Sequence, residues 1–212
     1  MDQEIKPLKG TTTVGIVCNG GIVLAADKRA SAGYFVAHKK EDKIKKISEH
    51  MAITTAGLVS DAQLFTRIIR AQLKLLTLRK NKEPTVKESA NLLANLSYAN
   101  IRRPSMVPGI VGFLLGGVDR YGEHLYSIGV DGSVSQHDDY VSDGSGSRVA
   151  IGVLETLFKP GMTLEEGQQV ALRAVNAALQ RDLATGNGID IFTVTPEGVK
   201  QVFHKEINTN VI

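Results

Sequence analysis

Few residues of this chain have types and spacings suited to chemistry, and a run of hydroxyls leads them. Thr11-Thr12-Thr13 follows ten residues that hold no apolar run. Five histidines occur, His38, His50, His124, His137 and His204, and no two stand at a metal-ligand spacing. Asp138-Asp139 could hold a cation, and a solvated turn is the plainer reading. Neither a G-x-G-x-x-G nor a Walker phosphate loop is present. Gly144-Ser145-Gly146 precedes a predicted helix, whose free amides could cradle an anion. Cys18 is the sole cysteine, so neither an internal disulfide nor a zinc knuckle can form.

A hydroxyl nucleophile without a histidine triad needs another base. A threonine at a chain terminus carries one, its own α-amine. That amine has an unperturbed pKa of about 7.7 to 8.0, near working pH. A nearby lysine ammonium lowers it by like-charge repulsion, and a carboxylate keeps such a lysine charged. Thr11 qualifies only once the Gly10–Thr11 bond is cut, because its nitrogen is otherwise an amide. Gly10 has no side chain to hinder approach to that carbonyl. Residues 1–10 carry Asp2, Glu4, Lys6 and Lys9 and do not make a secretory signal. A frayed terminus and a removable segment are both open readings of them.

Those residues need a frame. At 212 residues the chain is long enough for one large domain with a real core. Its 42% hydrophobic and 22% charged residues exclude a disordered chain, and a net charge of +3 gives no reason to expect nucleic acid or a membrane surface as partner. The most apolar stretch, residues 107–118, is broken by a proline and four glycines and is shorter than the ~20 residues of a membrane helix.

Residues 11–18 and 21–26 are β-branched strands around Asn19-Gly20, a type I′ hairpin signal. Strands are also predicted at residues 43–48 and 51–56. A helix over residues 61–78 shows a stripe of Leu64, Ile68, Leu73 and Leu76, with Arg67, Arg70 and Lys74 on the wetter side. After Pro84, Thr85 and Glu88 form a capping box, and Ala90, Leu93, Leu96 and Ala99 mark the buried stripe of a second helix. Strands follow at residues 110–118, 123–128 and 134–137. A third helix spans residues 147–158. A fourth starts at Thr163, boxed with Glu166, and runs to about residue 184 with Gly186 just past its end. Residues 189–194 and 199–204 are closing strands around Pro196-Glu197-Gly198. Segregated runs of strands and helices argue α+β, and no polar linker divides the chain.

Six pieces now stand in order across residues 10–186. They are Gly10-Thr11-Thr12-Thr13-Val14-Gly15, Ala25-Ala26-Asp27-Lys28-Arg29-Ala30, Lys43-Ile44, Ala56-Gly57-Leu58-Val59-Ser60-Asp61-Ala62, Gly144-Ser145-Gly146 and Arg181-Asp182-Leu183-Ala184-Thr185-Gly186. Each is weak alone. Together, in this order and spacing, they make a chain that resembles the proteasome β-subunits of the N-terminal-nucleophile hydrolases, closest to the archaeal type.

The resemblance implies roles. Thr11 is the nucleophile and, through its freed amine, the base. Lys43 tunes that amine and Asp27 holds Lys43. The Gly57 N–H forms the oxyanion hole, while Ser145, Asp182 and Thr185 hydrogen-bond around the threonine terminus. Arg29 supports the site from behind. Without the resemblance, Asp27-Lys28-Arg29 is a polar strand end and Gly57 a turn glycine. Spacing does not separate Lys43 from Lys45; the resemblance alone selects Lys43. Thr185 stands where the family commonly has serine, which keeps the hydroxyl and adds a methyl.

The implied fold is a four-layer αββα sandwich, with residues 1–10 a propeptide and residues 11–212 one catalytic domain. The implied assembly is a seven-membered ring of β-subunits stacked with α-subunit rings, fed with unfolded polypeptide by an ATP-dependent unfoldase, in the cytoplasm. The implied activity is a threonine endopeptidase that needs neither metal nor organic cofactor. Ala30, Glu41, Lys45, Thr55 and Val59 match the family's S1 pocket. Ala30 and Val59 leave apolar room, which leads us to expect cleavage after hydrophobic residues, and Glu41 and Lys45 could neutralise each other at the rim. Two other readings compete: a ring subunit that builds without cutting, and a different amidohydrolase with the same N-terminal chemistry.

Overall fold

The computed structural model describes residues 10–106 and 109–207; most of the expected propeptide, residues 1–9, and residues 208–212 lie outside the described residues. The predicted hairpin is Thr13–Cys18 (β1) and Gly21–Asp27 (β2). Gly20 takes φ 84° in its turn, a value that favours glycine. Ala30–Ala32 (β3) and Phe35–His38 (β4) form a small exposed hairpin that the sequence did not announce, because it has no alternating apolar face to bury. Ile44–Ser48 (β5) and Met51–Gly57 (β6) lead into helices Val59–Lys80 (α1) and Val86–Arg102 (α2).

Val111–Asp119 (β7), Gly122–Ile128 (β8) and Val134–His137 (β9) follow, then the unanticipated Tyr140–Asp143 (β10). Helices Ser147–Leu157 (α3) and Leu164–Arg181 (α4) precede Gly188–Thr195 (β11) and Gly198–Glu206 (β12).

Ten strands make two antiparallel five-stranded sheets, in the orders β10-β1-β2-β11-β12 and β5-β6-β7-β8-β9. Three apolar cores separate the layers. Ile22, Leu24, Ala26, Ala52 and Leu125 fill the space between the sheets. Phe65, Ile69 and Leu93 seal α1 and α2 onto the second sheet. Leu154, Ala171, Ala174 and Val175 seal α3 and α4 onto the first. The result is the expected four-layer αββα sandwich. Every residue of β2 is buried because both of its faces are covered. Burial of each large side chain in these cores is worth about 1.5–3 kcal/mol.

Several boundaries differ from expectation. The buried face of α1 is Ala62, Phe65, Thr66, Ile69 and Leu73, while Leu64 is exposed and Ile68 and Leu76 are half-buried. This helix carries two apolar lines about 100° apart. Phe65 decides between them by packing on Phe113 of β7, with ring centroids 5.6 Å apart. In α2 the capping box forms, Ala90 and Leu93 are buried and Leu96 is partly so, but Ala99 faces out and Ala94 and Ser97 are buried instead. Phe158 caps α3 rather than extending it. The fourth helix stops at Arg181, three residues early, because Asp182 leaves helical geometry at φ −93°, ψ 118°. Among the described residues no helix is long and apolar enough to cross a membrane.

Candidate active site

Asp27 ends β2 and is fully buried. It survives there as an acceptor of four hydrogen bonds. Oδ1 takes Lys43 Nζ at 2.7 Å and the Thr12 N–H at 2.8 Å. Oδ2 takes the backbone N–H groups of Arg29 and Gly186, each at 3.0 Å. Lys43 stands one residue before β5, where its carbonyl accepts the Thr55 N–H of β6 at 2.9 Å. Its Nζ also donates to the Gly10 carbonyl at 3.2 Å. Burial pushes the Lys43 ammonium below the usual lysine range, and the Asp27 charge opposes that shift. Lys45 lies inside β5 opposite Ile53, half-buried. Tertiary placement thus separates two lysines that spacing left equivalent.

Thr11 is buried next to the Gly10 carbonyl that this ammonium reaches. Its Oγ1 donates to the Gly10 carbonyl at 2.5 Å, and its N–H points to Ser145 Oγ at 3.3 Å. Its carbonyl accepts the Gly146 N–H at 3.2 Å. Ahead of α3, the Gly144 N–H donates to Asp143 Oδ1 at 2.7 Å and the Ser147 N–H to the Gly144 carbonyl at 3.2 Å, so these amides are taken up within the protein. Gly144, at φ 96°, allows this approach, since a Cβ there would sit 2.2 Å from the Thr11 carbonyl oxygen.

The early end of α4 has a purpose in this geometry. Asp182 Oδ2 accepts Ser145 Oγ at 2.6 Å and Thr185 Oγ1 at 2.5 Å. Thr12 Oγ1 lies 2.7 Å from Thr185 Oγ1. A hydroxyl has one proton, and Thr185 gives its own to Asp182, so Thr12 is the donor in that pair. Thr12 was missed at the sequence level, as one unremarked member of a threonine run. Arg29 reaches behind the loop, with Nε on Asn187 Oδ1 at 2.9 Å and Nη1 on the Leu183 carbonyl at 2.8 Å. A Cβ on Gly186 would lie 2.2 Å from the Arg29 guanidinium carbon, so glycine lets the loop close over it. Asn187, also missed, sits at φ 61°, a conformation asparagine tolerates.

A small cavity opens beside Thr11, walled by Gly10, Arg29, Ala30, Ser31, Glu41, Lys43, Thr55, Gly57, Val59 and Ala62. Four of the five expected pocket residues line it. Lys45 does not; it lies two residues beyond Lys43, inside β5. Gly57 holds φ 145°, and a Cβ there would meet the Ile110 carbonyl oxygen at 2.2 Å. The other motifs do not gather here. The Asp139 backbone carbonyl accepts the Val17 N–H at 2.7 Å, and its carboxylate Oδ1 accepts the Tyr140 N–H at 2.6 Å.

The comparisons with known proteins identify the family. The family model "Proteasome subunit" matches residues 8–194. A "Proteasome subunit beta" of Archaeoglobus profundus is 42% identical over 203 residues, 96% of this chain and 93% of that protein. One of Ferroglobus placidus is 43% identical over 95% of this chain and 94% of that protein. A "Proteasome subunit beta 2" of Ignicoccus hospitalis is 44% identical over 94% of this chain and 92% of that protein. By family match, by relatives along nearly its whole length and by its fold, this chain belongs to the proteasome subunit family, as a β-subunit of the archaeal type.

Proposed function

We propose that the chain is a threonine endopeptidase, the catalytic β-subunit of a core proteasome, working in the cytoplasm on unfolded polypeptides. The observation that carries this reading is the convergence on one threonine. Thr11 Oγ1 lies against the Gly10 carbonyl, and Lys43, held by Asp27, reaches the same carbonyl oxygen at 3.2 Å. Attack of Oγ1 on the Gly10 carbonyl carbon would pass through an oxyanion that the Lys43 ammonium stabilises. The Gly10–Thr11 C–N bond then breaks as the Oγ1 proton passes to the leaving nitrogen, which gives an ester on Thr11 Oγ1 and a free α-amine; water hydrolyses the ester, and residues 1–10 leave with the Gly10 carboxylate. The freed α-amine, with the Lys43 charge beside it, then takes the hydroxyl proton in each peptide cleavage.

Gly57 would supply its N–H to the substrate oxyanion, while Ser145, Asp182 and Thr185 hold the amine. No metal or organic cofactor has a part. Other β-subunits in a seven-membered ring, α-subunit rings and an ATP-dependent unfoldase complete the working particle. Ala30 and Val59 give the cavity an apolar wall, which supports cleavage after hydrophobic residues. Glu41 lines the same cavity and disfavours an acidic side chain. Peptides differing only at that position test this, and faster cleavage after acidic residues would overturn it.

The test of the main reading is intact mass after co-expression with an α-subunit. Wild-type chain should lose residues 1–10, and Thr11→Ala should stay full length and inactive. An unprocessed wild-type chain in an assembled particle would sink the mechanism.

A further inference from the structure

Two Asp-Lys dipeptides, Asp27-Lys28 and Asp42-Lys43, face each other and pair crosswise. The first contact, Asp27 with Lys43, belongs to the site above. The second, Lys28 with Asp42, is unused by the mechanism. We infer that Lys28 is a positioning residue: its ammonium, shared between Asp42 and Asp190, holds the 41–43 segment against the end of β2 and so sets Lys43 beside Asp27. The inference rests on the threonine-peptidase reading for its consequence in catalysis.

Lys28 is 2% exposed, unusual for a lysine. Its Nζ donates to Asp190 Oδ2 at 2.6 Å and to Asp42 Oδ1 at 2.8 Å. Asp190 is itself buried on β11 and is oriented through its other oxygen, which accepts Gln201 Nε2 at 3.1 Å and lies 2.6 Å from His204 Nδ1. The anchor is therefore rigid, fixed from β12 through β11. The backbone adds a third link, from the Glu41 N–H to the Lys28 carbonyl at 2.9 Å.

The Lys43 side chain is buried against Asp27 and the Gly10 carbonyl, while the neighbouring Asp42 side chain is exposed and reaches Lys28, so the two ion pairs hold the 41–43 segment at successive residues. The segment leads into β5 of the second sheet, whereas Asp27 and Asp190 belong to the first sheet and Lys28 stands one residue past the end of β2. Without the outer grip, the inner pair and the Glu41–Lys28 backbone bond must hold that gap.

Lys28→Met takes the ammonium away from buried Asp190 and risks loss of the fold. Asp42 has a side chain 66% exposed, so Asp42→Ala tests the link without that risk. The assay uses the assembled particle with a fluorogenic peptide, together with the variant's crystal structure. We expect the Lys43 Nζ–Asp27 Oδ1 separation to lengthen beyond hydrogen-bond reach. We expect kcat to fall about tenfold at unchanged KM, within the ~10²-fold that a one-ångström misplacement can cost. Asp42→Glu, which keeps the carboxylate, should recover most of the loss. Wild-type kcat and separation in Asp42→Ala, even with lowered thermal stability, overturn the inference. A wild-type particle without peptidase activity would sink the proposed function instead, and the separation in the variant's structure would still decide this one.

Discussion

Replacing Asp27 by asparagine keeps the side chain's shape and removes one charge. Its four partners are all donors, two on each oxygen. An amide offers one oxygen, so its NH2 must face two N–H groups whichever way it is turned. If it faces Arg29 and Gly186, two backbone N–H groups, one partly and one fully buried, lose their acceptor, at about 1–3 kcal/mol each. The Lys43 ammonium also loses its counterion, and breaking a buried pair costs about 3–5 kcal/mol. Lys43 can limit the second cost by shedding its proton, because burial already pushes its pKa down. The lower end, about 5 kcal/mol, is still a large part of the ~5–15 kcal/mol that holds a domain together.

Urea unfolding of the unassembled precursor measures this cost, and intact mass reads processing. Asp27→Asn should lose most of its stability and remain unprocessed. The double variant Asp27→Asn with Lys43→Met removes the stranded charge and should be more stable than Asp27→Asn by about 3 kcal/mol, though equally inactive. An Asp27→Asn chain within ~0.5 kcal/mol of wild type would refute the reasoning, as would a double variant no more stable than the single one.

Two further outcomes follow from the same geometry. Thr185→Ser keeps the hydroxyl between Thr12 and Asp182 and should unfold and process like wild type, whereas Thr185→Val should cost about 1–3 kcal/mol in urea, because the buried Thr12 hydroxyl loses its acceptor. Burial holds the Asp143 carboxyl above its usual pKa, against the Gly144 N–H that bonds it. A raised folded pKa means stability is fully present below the unfolded value and is lost as pH rises through the folded one. Asp143→Asn should therefore raise the melting temperature at pH 7, by about 2–4 °C per kcal/mol recovered, with the gain vanishing in acid. A gain that persists below pH 3 would point away from charge burial.

What was legible in advance was local. The Asn19-Gly20 turn, the boxes at Thr85 and Thr163 and the order of strand and helix runs each follow from φ preferences, side-chain caps and periodicity within a few residues. Motif order alone led to Thr11, Asp27 and Lys43. Other features were decided between distant segments. The phase of α1 came from Phe65 meeting Phe113, and the early end of α4 came with the Ser145 and Thr185 hydroxyls on Asp182. β10 exists because β1 offers it an edge.

The sequence by itself determined the chemistry on offer: a threonine behind a glycine, lysines and carboxylates, and a two-sheet layered fold to carry them. Only the tertiary structure decided that Lys45 stays out of the cavity and that Lys28 is bound away toward Asp190. The physical reason is that periodicity says which face a side chain occupies, whereas a charge pair across two sheets depends on distances that only packing sets.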